Sequence, residues 1–240
     1  MFLDLDGTLL EFAREPSAVA PTARLLELIG RLCDVTDGAV AVVSGRSIDD
    51  LDRLLRPHKL PVAGVHGLQR RGGHGSALVP PRLGAELEAV RPGLKAFAER
   101  NPGTLVEDKG FSLALHYRKR PDLEDAVVGL IEDLRARLPE RLELLSGDKV
   151  IEIKPAGYDK GAAIAAFMGE APFKGRTPVF IGDDVTDEAG FRTVNDLGGV
   201  SVKVGAGPTA AKSRLADVAA VLQWLEDLLD RQSNVCAEEI

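Results

Sequence analysis

Asp4 and Asp6 stand two residues apart where the apolar opening MFLDLDGTLL ends. Burying either carboxylate alone would be costly, so two of them on one hydrophobic strand need a cation or a reaction to account for them. Alternation along a strand puts both side chains on the same side, and Gly7 permits a tight exit turn. Three further stretches carry complementary groups. VVSGR at 42–46 ends an apolar run in a hydroxyl, a glycine and an arginine. Asp159, Lys160 and Gly161 open a helix, which sets an ammonium beside a helix N-terminus that itself favours anions. IGDDVTDE at 181–188 places three aspartates and a glutamate after another apolar run.

Carboxylates from the first and fourth stretches would repel one another unless a hard cation lay among them. Mg²⁺ fits such a set, because it takes one or two carboxylates and leaves positions for water and a phosphate oxygen. Ser44, nearby backbone amides and Lys160 would hold the other phosphate oxygens. One carboxylate of the first pair is then free to attack phosphorus. Each stretch alone is ordinary turn or capping chemistry; the four in this order, each at the edge of an expected element, are far more specific. His66 and His116 have no cysteine or third histidine nearby, which leaves a hydrogen-bonding role or a satisfied structural histidine as the two readings.

The elements that must position these residues alternate from the start. FLDL is expected as a strand, 22–33 as a helix, 39–43 as a strand, 47–55 as a helix capped by Ser47, and 61–65 as a strand. Gly72, Gly73, Gly75, Pro80 and Pro81 break the pattern before a helix at about 84–99. Residues 104–153 follow a strand-strand-helix-strand-strand order, the pattern of an antiparallel sheet with helices on one side. After Pro155 and Gly157 come a helix at 159–168, the strand TPVFIG, a helix from about 186, the strand GVSVKVG and a helix at 217–229, with a frayed tail after about 231. The fold class is therefore α/β, a Rossmann-like parallel-sheet core with an inserted α+β cap domain. Its boundaries are core residues 1–81, an inserted unit at 82–155, and core again at 156–240.

In an open parallel sheet the ligand crevice lies at the carboxyl ends of the strands, where the motifs fall. Composition narrows the partners. With 30 Lys and Arg against 37 Asp and Glu, the net charge of −7 opposes binding to nucleic acid. No apolar run reaches the length of a membrane span, and no basic stretch leads into a signal-type core, so a cytoplasmic location and no membrane partner are expected. Two cysteines suggest neither a disulfide framework nor a metal knuckle. A monomer is expected, with an oligomer left open.

The four stretches resemble the motifs of the haloacid dehalogenase superfamily. The run VIEIKPAGYDKGAAIAAFMGEAPFKGRTPVFIGDDVTDEAGFRTVN at 150–195, with AGVHGLQRR at 63–71 and VEDKGFSLALHYR at 106–118, is similar to the trehalose-6-phosphate phosphatases of bacteria. That resemblance implies Asp4 as a nucleophile forming an aspartyl-phosphate and Asp6 as the general acid that later activates water. It implies Mg²⁺ held by the Asp4 carboxylate, the Asp6 carbonyl and Asp183, supported by Asp184 and Asp187. It puts Ser44, Arg46 and Lys160 on the phosphate side. The inserted unit becomes a cap over a disaccharide phosphate, with Glu107, Lys109, His116, Arg118 and Glu152 at sugar-side or cap-core positions and His66 among the substrate contacts.

Two departures accompany it. The family carries a lysine four residues before the glutamate at 152, where this chain has Asp148 and then Lys149. The chain also begins almost on its catalytic strand, and a trimmed N-terminus would lower stability without touching the motifs. Three other readings remain open on the residues alone: a capped phosphatase for another sugar phosphate, a catalytically silent phosphosugar-binding module, and a phospho-receiver domain. The presence of both Asp4 and Asp6 argues against the silent module, and the receiver has no use for Asp6 or a cap.

Overall fold

The computed structural model describes residues 1–11, 20–73, 77–78, 84–138, 140–147 and 149–238. Asp148 lies outside the described residues. The first segment runs β1 (Phe2–Leu3), α1 (Ala23–Val35), β2 (Ala41–Val43), α2 (Ile48–Leu54), β3 (Val62–Gly64), β4 (Gln69–Arg71) and β5 (Ala77–Leu78). The middle runs α3 (Gly84–Arg100), β6 (Leu105–Asp108), β7 (Leu113–His116), α4 (Glu124–Arg137), β8 (Leu142–Gly147) and β9 (Val150–Pro155). The last runs α5 (Lys160–Met168), β10 (Val179–Gly182), α6 (Glu188–Asp196), β11 (Val200–Val204), β12 (Ser213–Leu215) and α7 (Val218–Glu238). Two compact units result, Met1–Val79 with Tyr158–Ile240, and Pro80–Gly157.

The larger unit is built on one sheet in the order β12-β11-β10-β1-β2-β3-β4-β5. The strands from β12 to β3 are parallel, and β4 and β5 are antiparallel additions at one edge. Parallel strands are covered on both faces and so are apolar on both. Leu3, Val42, Ile181 and Val202 face one core shared with Leu25, Ile29 and Leu32 of α1 and Leu225 and Leu229 of α7. Phe2, Val43, Ala63 and Phe180 face the other, filled by Ile164, Phe167, Phe173 and Phe191. Strand order runs outward from the middle in both directions, through β2 and β3 on one side and β10 and β11 on the other. The switch point is the β1–β10 pair, and the residues after these two strands are Asp4 and Asp183.

The second unit is a four-stranded antiparallel sheet, β6-β7-β9-β8. Leu113, Leu115, Ile151 and Ile153 turn to one face, where Leu87, Leu94 and Phe97 of α3 and Val127 of α4 bury them. The alternate positions Glu107, Ala114 and Glu152 turn to the other face, in one cross-strand row.

Five features differ from the pattern expected of the sequence. The FLDL strand stops at Leu3, because Leu5 O accepts the amides of Thr8, Leu9 and Leu10 and turns the chain out of the sheet. β4 and β12 are short and mostly polar, so no alternation marks them, while β5 lies inside the stretch taken for a break. The tail expected to fray is helical through Glu238: no glycine or proline follows 218, so the helix propagates from its buried first turns.

Candidate active site

The Asp4 amide donates to Ile181 O at 3.0 Å, which fixes the chain at the end of β1 beside β10. Gly7, at φ 84°, donates its amide to Leu10 O at 2.7 Å and closes the turn that holds Asp6 and Thr8. Lys160 is the first residue of α5, whose cap is the Asp159 side chain accepting from the Ala162 amide. Its buried ammonium donates to Asp4 Oδ1 at 2.7 Å and to Asp187 Oδ1 at 2.6 Å. Asp187 is fully buried, and its Oδ2 accepts the amides of Asp183 and Asp184. It reaches them because Gly182 has no side chain: a Cβ there would lie 2.4 Å from the Asp187 carboxyl carbon. Thr8 Oγ1 is 3.3 Å from both Asp4 Oδ2 and Asp183 Oδ1. One hydroxyl proton serves one of them at a time.

Two of the three carboxylates, Asp4 and Asp187, thus share the Lys160 ammonium, and Asp183 stands beside them. Burial is the largest cause that raises each: Asp4 is pushed up to about 6 against the pull of Lys160, Asp183 to about 6 with the charge of Asp187 adding, and Asp187 to about 6 despite Lys160. Burial by itself would lower Lys160, but the charges of Asp187 and Asp4 outweigh it and hold the ammonium above its ordinary value. Oxygen atoms of Asp4, Asp183 and Asp187 come within 4.8 Å of one another. An all-oxygen donor set that is short of positive charge fits a hard divalent cation. Asp187 accepts Lys160 on one oxygen and two backbone amides on the other, whereas Asp4 Oδ2 and Asp183 Oδ1 share a single Thr8 hydroxyl proton, so Asp4 and Asp183 are the two carboxylates better placed to ligate.

The remaining core residues lie close by. Ser44 is buried after β2, its Oγ accepts the Arg46 amide at 3.2 Å, and its carbonyl accepts the His66 amide at 3.0 Å. His66 has a left-handed backbone, φ 53°, in the single turn after β3. Arg46 sends its guanidinium to Asp6, Nε to Oδ2 and Nη2 to Oδ1, both at 2.6 Å. Asp184 is exposed and caps its own turn through the Val185 amide.

Within the second unit, Glu107 and His116 meet at 2.8 Å, and that contact holds the Glu107 carboxyl below its ordinary value. Glu152 is buried; Oε1 accepts from Ser112 Oγ at 2.5 Å and lies 3.5 Å from Lys109 Nζ. Arg118 is exposed in the turn after β7. Two residues beyond those expected from the sequence also reach the site: Thr8, which ends the DLDGT stretch, and Lys203, the one charge inside the apolar strand VSVKV. The Lys203 ammonium donates to the carbonyl of Asp183.

A parallel sheet with aspartates after its two central strands, interrupted by an α+β unit, is the fold of the haloacid dehalogenase class, as in a solved structure from Bacteroides thetaiotaomicron with a TM-score of 0.66 at 16% identity over 94% of this chain and 93% of that one. The trehalose-phosphatase family profile matches residues 2–220. The chain is 47% identical over 225 residues to the trehalose-6-phosphate phosphatase of Escherichia coli strain K12, covering 94% of this chain and 84% of that one. It is 42% identical over 218 residues to a probable trehalose-phosphate phosphatase of Sinorhizobium fredii, covering 91% and 82%. In fold it is similar to the C-terminal domain of the trehalose-6-phosphate phosphatase of C. albicans, with a TM-score of 0.84 at 23% identity over 95% of this chain and 91% of that one. The chain belongs to the trehalose-phosphatase family.

Proposed function

We propose that this chain is a Mg²⁺-dependent phosphatase that hydrolyses trehalose 6-phosphate to trehalose and phosphate. The observation that carries the reading is the Asp4 carboxylate, buried at the switch point of the sheet, with Lys160 on one oxygen and Asp183 beyond Thr8 on the other. Asp4 attacks phosphorus, the bond to the sugar oxygen breaks, and that oxygen takes a proton from Asp6. An aspartyl-phosphate on Asp4 remains. Asp6 then removes a proton from water, which attacks the same phosphorus, and Asp4 is released as a carboxylate.

The cation would be held by the Asp4 and Asp183 carboxylates and the Asp6 carbonyl, with Asp187 and Asp184 shaping their loop, and would supply charge neutralisation on the phosphate oxygens. Lys160 stabilises the oxygens that gain charge, and Ser44 offers its hydroxyl proton to another phosphate oxygen. Arg46 and His66 complete the phosphate side. Glu107, Lys109, Arg118 and Glu152 are assigned to the sugar, since charged donors and acceptors suit a ring of hydroxyls. No described helix is long and apolar enough to cross a membrane, and a cytoplasmic monomer is the form in which we place the activity.

Phosphate release from a panel of sugar phosphates, with and without Mg²⁺, tests the reading. Trehalose 6-phosphate is expected to be the best substrate and turnover to require the cation. A better substrate elsewhere in the panel would assign the chain to a different sugar phosphate.

A further inference from the structure

Lys203 has a buried ammonium, with the residue 6% exposed, yet among the described residues it forms no ion pair. Burying an ammonium without a carboxylate is unfavourable, so the lysine must be held there by something other than packing. Its side chain points away from the Val202 and Val204 face and reaches the carbonyl of Asp183. The register explains the reach: Lys203 on β11 is the Cα partner of Gly182, the last residue of β10, so the residue just beyond it is Asp183.

Asp183 is consequently held at both ends of its backbone. Its amide donates to Asp187 Oδ2 at 3.0 Å, and its carbonyl accepts from Lys203 on the neighbouring strand. Two anchors on one residue fix the direction of its Cα–Cβ bond, and with it the carboxylate that stands across Thr8 from Asp4. We propose that Lys203 is a positioning residue for the divalent cation, aiming the Asp183 carboxylate at Asp4 by holding the Asp183 carbonyl from β11. This rests on the assignment of a Mg²⁺ site to Asp4 and Asp183 made above.

The anchor and the bare charge have opposite consequences. Lys203 as a charge alone would compete with Mg²⁺, and its removal would tighten binding. As an anchor, its removal loosens a ligand and weakens binding. Thermal stabilisation of the whole chain as a function of Mg²⁺ concentration separates them. Lys203→Met is expected to raise the Mg²⁺ concentration for half-maximal stabilisation about tenfold, the size typical of groups that orient metal ligands, while Lys203→Arg, which keeps the donor, stays within about threefold of wild type. A midpoint for Lys203→Met within about twofold of wild type, a lower one, or an equal loss in both variants overturns the proposal. Should Lys203→Met fail to fold, Lys203→Ala takes its place on the same criteria. A wild-type chain that gains no stability from Mg²⁺ faults the metal assignment itself, which keeps the two failures apart.

Discussion

Arg46 forks onto Asp6, with two hydrogen bonds of 2.6 Å that occupy both carboxylate oxygens. The arginine expected on the phosphate side is hydrogen-bonded in this structure to the residue expected as the acid. Asp6→Asn should lower kcat by about 10²- to 10⁴-fold, slowing both formation and hydrolysis of the phosphoenzyme. Rapid-quench measurement that finds only the first step slowed would contradict the dual role.

Asp4→Asn keeps the shape of the side chain and removes the nucleophile. Turnover should fall by more than about 10³-fold with the unfolding transition preserved, since Lys160 retains Asp187 as a partner. Near-wild-type phosphate release from a folded variant would remove Asp4 from the first step.

Lys160 is the shared counter-charge of two buried carboxylates. Lys160→Met in metal-free protein at pH 7 should cost about 3–5 kcal/mol in urea unfolding, the range for breaking a buried pair from one side. The cost should shrink at pH 5, where the carboxylates can take up protons. An unchanged midpoint at pH 7 would mean that water reaches the pair.

The raised carboxyls set a sign for stability against pH. Asp4, Asp183 and Asp187 rise from 3.8 to about 6, so the metal-free folded chain holds more protons than the unfolded one between these values. Their contribution is fully present below about pH 4 and is lost as pH climbs through 6. Asp183→Asn removes one of them, so in EDTA it should be more stable than wild type at pH 7, flatter across pH 4–6, and unresponsive to Mg²⁺. Calorimetry across that range checks all three; a variant less stable at pH 7 would show that the cluster is not under repulsion.

Glu152 accepts from Ser112 and faces Lys109, so truncation would also leave those groups unpaired. Glu152→Gln keeps the Ser112 bond and removes the charge. It should raise KM for trehalose 6-phosphate about tenfold, the scale of one charged hydrogen bond, while leaving phenyl phosphate turnover nearly unchanged. Equal losses on both substrates would make Glu152 structural.

The layout of the core was largely legible because its signals are local. Thr22 and Ser47 cap α1 and α2, and Asp159 caps α5, each from a side chain written next to the helix it starts. Short apolar runs rich in β-branched residues, such as AVV at 41–43 and VFIG at 179–182, read as covered strands and are strands. β4, with the sequence QRR, was illegible because nothing local makes it a strand. It exists through backbone pairing to β3 and through Arg71 on Asp52 and Arg70 on Glu170.

Residue types and their order were enough to determine the chemistry on offer: two aspartates just past one apolar strand, a serine, a lysine at a helix start, and a second acidic loop. Tertiary structure alone decided how those charges are paired. Lys160 lies between Asp4 and Asp187, Arg46 lies on Asp6, and Lys203 holds the carbonyl of Asp183, each between different elements of the chain. Propensity and periodicity act over a few residues, whereas the partner of a buried charge is set by which strands the sheet brings side by side.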